Sequence, residues 1–180
     1  NEHFNSAPFI KIKKSSHSKI FSVPVYTDIS DKRFQLGFKK AVEKTWQTID
    51  QGVTYKIIVD LRYISPSKLY KGVATPKKGA KLDLTAHAKL FPTDGGIITS
   101  GANTTHAIPT RYIALGPQPI SEHVLAHEFG HILGFLDGYF RGYRDKGQEG
   151  FEVLEVIPDP NDLMCTPGSG SVNVFHFNRL

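Results

Sequence analysis

The stretch AHEFGHILGFLDGY, residues 126–139, sets His127, Glu128, His131 and Asp137 within eleven positions of an otherwise apolar segment. Polar groups taken out of water need partners, so these four call for a common one. Wound as an α-helix, His127 and His131 stand one turn apart on one side, while Leu125, Phe129, Ile132 and Leu133 gather on the other. Two imidazoles at that spacing can aim their nitrogens at a single point about 2.1 Å from each, the zinc–nitrogen distance. Glu128 is turned about 100° around the axis from His127. That is too far round for a third ligand from the same helix, but it suits contact with a water held by the ion. Gly134, three residues after His131, permits the left-handed backbone that ends a helix and reverses the chain. The reversal brings Asp137 back to offer a carboxylate oxygen.

Two nitrogens, one oxygen and a water describe four-coordinate zinc with an open position. Such an ion acidifies its water and polarises a carbonyl. Glu128 then takes the water's proton and passes it to a leaving amine. HExxH alone is a weak signal; the added glycine and aspartate carry geometric meaning and strengthen it. A rival third ligand is a glutamate about twenty residues beyond His131, as in thermolysin-like sites, where Glu149 and Glu152 fall. The Gly134–Asp137 pair argues against it, because a helix ended by glycine has a ligand close by. His123, a further turn upstream, is expected to pack or to support. Asp145, Glu149, Asp159 and Asp162 could bind calcium, but no ordered ligand pattern supports it.

These residues need a scaffold. Residues 20–29, IFSVPVYTDI, read as a strand, and Ser30 or Asp31 caps the helix that follows. Its apolar positions run at steps of three and four from Phe34 to Trp46 and Ile49, and Gly52 ends it. VTYKIIVDLRYI alternates as a strand with one covered face. Residues 65–81 read as a loop. KLDLTAHAKLF and GGIITSGA are strand candidates separated by the turn signal PTDGG, and RYIALGP is another. Pro119 suits the first turn of the metal-site helix, expected over 120–133. Residues 138–163 read mostly as loop, with a helical turn or two in EGFEVLEVI, and SVNVFHFNRL fits helix and strand equally. Strand, helix, strands, helix gives an α+β chain with helices packed on a sheet.

HEFGHILGFLD resembles the metzincin zinc-peptidase signature, HExxHxxGxx followed by His or Asp. The Asp form, with Tyr139 two residues later, is most similar to snapalysin-like peptidases. The resemblance implies a twisted, mostly parallel sheet with an edge strand at the cleft, a backing helix, an active-site helix and a small C-terminal subdomain. It implies one catalytic domain over 1–180, divided into 1–134, with the zinc helix, and 135–180, with the third ligand and a methionine turn. The single methionine, Met164 in NDLMCTPG, would form that turn, and TPGSGS the wall of a substrate pocket. AHAKLFPTDGGIITSG resembles the matrix-metalloproteinase stretch leading to the edge strand, so GGIITSGA would grip an extended peptide by its backbone. Those enzymes hold a second, structural zinc, and His87 stands where one of its ligands would be. The other ligands are not evident, which leaves His87 an ordinary strand histidine. Astacin-like members place a tyrosine two residues after the methionine. Here that residue is Thr166, and Tyr139 is the candidate oxyanion stabiliser instead.

The whole chain sets bounds. Its 180 residues, 39% apolar, suit one domain with a core. No run of about 18 apolar residues would span a membrane. A net charge of +5 from scattered lysines comes with no nucleic-acid motif, so no nucleic-acid partner is expected. One cysteine, Cys165, excludes an internal disulfide and reads as a small buried thiol. The start at Asn1 leads us to expect a trimmed fragment, and the resemblance an exported one. The expected protein is a monomeric, secreted zinc endopeptidase acting on an extended polypeptide. The rival expectation is a metal-stabilised module that grips peptides without cutting them.

Overall fold

The computed structural model describes residues 4–77 and 80–180. The Lys78–Gly79 part of the loop expected over 65–81 lies outside them. The first half builds a sheet around strand β2 (Ser18–Thr27). Strand β1 (Lys11–Lys14) pairs antiparallel with its early residues. Helix α1 (Lys32–Thr45) follows, capped by the Asp31 carboxylate, which accepts from the amides of Arg33 and Phe34. Strand β3 (Gln47–Asp50) hairpins back onto β4 (Val53–Tyr63), and β4 runs parallel to β2 along ten paired residues.

The helix expected to reach Gly52 therefore stops at Trp46. Trp46 is fully buried, with its indole N–H donating to the Ala126 carbonyl at 2.7 Å, while Ile49 faces solvent from β3. A buried anchor and the β-preferring Thr48 and Ile49 override the continued three–four spacing. Short helix α2 (Pro66–Tyr70), capped by Ser65 with proline at its start, interrupts the expected loop. KLDLTAHAKLF forms helix α3 (Leu84–Ala88), not a strand, because Asp83 caps it through the Ala86 amide.

Strand β5 (Gly96–Ser100) pairs parallel with β2 on one edge and with β7 (Tyr112–Leu115) on the other. It is an interior strand, which corrects the expectation that GGIITSGA forms the edge. The physical reason is in its run of Gly96, Ile97, Ile98 and Thr99, buried throughout, as suits a strand covered on both faces. The edge is strand β6 (His106–Ile108), antiparallel to β7. The sheet order is β3-β4-β2-β5-β7-β6, with β1 beside β2. Its four central strands, β4, β2, β5 and β7, are parallel, and β1, β3 and β6 join it antiparallel.

Helix α4 (Glu122–Leu133) is capped by Ser121, two residues later than expected. It packs beside α1 and against β6 and β7. A Cβ on Gly96 would lie 2.5 Å from Ile132 Cγ2, so the bare glycine lets α4 settle onto β5. The larger core joins Phe38, Trp46, Ile57, Ile98, Phe129 and Phe177, and a smaller one on Tyr26, Phe91, Ile97 and Tyr112 holds α2 and α3. Beyond α4, the expected loop and helical turns of 138–163 are a β-hairpin, β8 (Phe140–Asp145) with β9 (Phe151–Val156). Helix α5 (Val174–Arg179) ends the chain, started by a reciprocal cap between Asn173 and His176. The fold is α+β, and no helix among the described residues is long and apolar enough to cross a membrane.

Candidate metal centre

His127 and His131 project from the middle and last turns of α4, both buried, with ring centroids 5.0 Å apart. Each ring's Nδ1 meets a backbone carbonyl: His127 donates to Leu163 O at 2.9 Å and His131 to Phe135 O at 2.7 Å. A carbonyl only accepts, so both Nδ1 atoms carry hydrogen, and in the neutral rings both Nε2 atoms present lone pairs. Those lone pairs face one carboxylate oxygen. Asp137 Oδ1 lies 3.0 Å from His127 Nε2 and 3.4 Å from His131 Nε2. Such a trio of donors could hold a cation. A tetrahedral zinc with arms of about 2.1 Å has edges of about 3.4 Å, so the donor types, the two nitrogen–oxygen distances and the fixed tautomers suit zinc.

The electrostatics agree. Burial alone raises the Asp137 carboxyl, but the two histidines outweigh it and hold the group well below the usual carboxylate range. Burial alone lowers His131, but Asp137 and the Phe135 carbonyl outweigh it and push it up.

Gly134 makes the geometry reachable. It closes α4 at φ 111°, and its N–H donates to His131 O while Phe135 N–H donates to Gly130 O. A Cβ there would also lie 2.2 Å from the Asn5 carbonyl oxygen. Met164 lies directly beneath the helix: a Cβ on Gly130 would come within 2.3 Å of its sulfur. The Met164 carbonyl accepts from Gly138 N–H at 2.9 Å, tying the methionine segment to the ligand segment. The Met164 amide donates to Asp162, whose other oxygen pairs with buried His176 at 3.1 Å. His176 stands edge-on to Trp46 and Phe135. The pair's role was not legible from residue types. The resemblance implied a methionine turn at Met164; the bare Gly130 against which its sulfur packs was not anticipated.

Glu128 borders a cavity of about 210 Å³ with Thr105, Ile120 and Val124. Burial raises its pKa, opposed by His131 and His127. Burial and the nearby Asp137 carboxylate raise the Tyr139 phenol, opposed by Arg141. A second cavity, about 450 Å³, is lined by Asp137 together with Phe135, Met164, Phe175 and Arg179.

Other candidates stand elsewhere. Glu152 is engaged by Arg144 and Lys146 on the hairpin, and Glu149 sits in its turn, so neither joins the histidines; the thermolysin-like alternative is corrected. His87, helical rather than in a strand, bonds the Tyr70 hydroxyl, Asp28 and Thr99. His123 donates to the Gly170 carbonyl, pinning the loop that follows the methionine turn. Asp145 accepts from the Gly147 amide in the hairpin turn, and Asp162 is held by His176. Among the described residues, His127, His131 and Asp137 are the one group of three with convergent metal donors, within 4.8 Å of one another. Cys165 is buried and free. Comparisons with protein-family models, with curated proteins and with solved structures return no match.

Proposed function

We propose that this chain is a zinc-dependent endopeptidase of metzincin-like build. The observation that carries the reading is the facing of two fixed-tautomer Nε2 lone pairs and one carboxylate oxygen within 4.8 Å of one another, the two rings on the same helix as a half-buried glutamate. His127, His131 and Asp137 would hold the ion. Bound there, zinc supplies a Lewis acid that polarises a peptide carbonyl and acidifies water. The chain's own groups do the rest. Glu128 accepts a proton from the attacking water at a carboxylate oxygen and returns it to the leaving nitrogen. Its raised affinity for protons, caused by burial, suits a group that must carry one between the two steps. The Tyr139 hydroxyl, beside Asp137, donates to the developing oxyanion.

Strand β6 has one edge paired to β7 and one free, and it packs against α4. An extended polypeptide adding to that free edge by backbone hydrogen bonds passes over the ion site. Work outside the cytoplasm as a monomer belongs to this reading and rests on the resemblance alone.

The test is metal analysis joined to turnover. One equivalent of zinc and hydrolysis of casein, both removed by chelator and restored by zinc, are expected. Glu128→Gln keeps the zinc and loses turnover. Asp137→Ala loses zinc; unchanged zinc in that variant sinks the ligand assignment. Full zinc with peptide affinity and no turnover in the wild type identifies a peptide-gripping module instead.

A further inference from the structure

The hairpin β8–β9 inverts the usual distribution of side chains. Phe140 and Phe151 are each 71% exposed and Tyr143 is 68% exposed, with Val153, Leu154 and Val156 also open to solvent. The register places Phe140, Leu154 and Val156 on one face and Tyr143, Phe151 and Val153 on the other. Both faces are thus apolar, and the two strands pack chiefly on each other. An isolated two-stranded hairpin is marginal in water, and an exposed apolar surface of this kind marks an interaction site.

What covers it follows from three features. The charges are already spent within the hairpin: Arg141 pairs with Glu155 at 3.1 Å and Arg144 with Glu152 at 3.4 Å. Over 140–157, Arg141, Arg144 and Lys146 stand against Asp145, Glu149, Glu152 and Glu155, which leaves one net negative charge. Such an element does not attract nucleic acid or an anionic membrane. Each strand also has a free backbone edge, which lipid cannot satisfy and a polypeptide can. Finally, the hairpin is continuous with the ion site, leaving the chain three residues after Asp137 and returning eight residues before Met164.

We infer that β8–β9 is a docking element for an apolar, strand-forming segment of the polypeptide substrate, outside the stretch that lies over the ion site. This rests on the endopeptidase reading. The substrate class becomes unfolded or loosely folded protein with exposed apolar β-forming segments.

The test compares a long and a short substrate. Wild type and a variant carrying Phe140→Ser, Tyr143→Thr, Phe151→Ser and Val156→Thr are assayed on reduced, carboxymethylated casein and on an octapeptide spanning one of its cleavage sites. The variant is expected to raise KM for casein about tenfold, as loss of a binding hot spot does, with kcat, octapeptide hydrolysis and Tm unchanged. Casein binding by zinc-loaded Glu128→Gln, with and without the four substitutions, is read by fluorescence anisotropy and is expected to need the intact hairpin. Equal loss on both substrates, or none on casein, overturns the inference while the endopeptidase reading stands. Hairpin-dependent binding without wild-type cleavage upholds the docking element and rejects the endopeptidase. A hairpin-dependent dimer in sedimentation, or hairpin-dependent binding to phosphatidylcholine vesicles in place of casein, also overturns it.

Discussion

Helix α4 and the hairpin β8–β9 are opposites within one chain. In α4, His127 and His131 are buried although polar. In the hairpin, Phe140, Tyr143 and Phe151 are exposed although apolar. Burial is tolerated in the first case because each ring has a backbone carbonyl for one nitrogen and a converging carboxylate for the other. Exposure in the second has no compensating contact within the chain. The lesson is that the two regions differ in what they offer, one a donor set that could hold a cation and the other an exposed apolar surface. The first region is rigidly determined by its surroundings; the second depends on its own ladder and two ion pairs.

The contrast predicts unequal responses to substitution. The largest effect is on chemistry: Glu128→Gln lowers kcat/KM on peptides by about 10²–10⁴-fold with zinc content unchanged, measured by steady-state kinetics and metal analysis. Next comes Gly134→Ala, which places a side chain at φ 111° and 2.2 Å from Asn5 O. It lowers stability by about 3 kcal/mol, read from denaturant midpoints, and weakens zinc retention because Asp137 loses its approach.

Asp162→Asn is smaller and depends on pH. Burial raises the Asp162 carboxyl, but His176 outweighs it, so the folded value is depressed. A depressed carboxylate contributes stability in full above its unfolded pKa of about 3.9. That stability fades as pH falls through the folded value. The variant should lose about 2 kcal/mol at pH 7 and draw level with wild type in acid, as followed by urea melts across pH. The smallest effect belongs to the hairpin. Phe140→Ser with Val156→Thr changes stability by no more than about 0.5 kcal/mol. A large fall in Tm there would show that the hairpin packs on the body in solution and would erase the contrast.

Legibility followed the same division. The helix carrying His127 and His131, the cap at Asp31 and the strands β2, β4 and β7 were readable because period and capping chemistry agreed with the packing that formed. Asp137 was readable because a glycine at the helix end has a defined conformational consequence. The errors arose where local signals were weak or were overruled. The spacing through Ile49 looked helical until Trp46 was anchored beneath α4. The apolar run of β5 looked like a rim until strands paired on both its edges. FEVLEV lacks a turn signal of its own, and its strand becomes visible only beside β8.

The sequence by itself determined the donor set: which atoms can bind an ion, which helix carries two of them, and which glycine returns the third. These follow from helical geometry and backbone sterics, which act over a few residues. Tertiary structure alone decided that Leu163 and Phe135 fix the imidazole tautomers, that the Asp162–His176 pair supports the methionine segment, and that β6 is the free edge. Such contacts reach across the chain, as when His176 stands edge-on to Trp46, 130 positions away. They arise from packing and strand pairing, for which no local period exists.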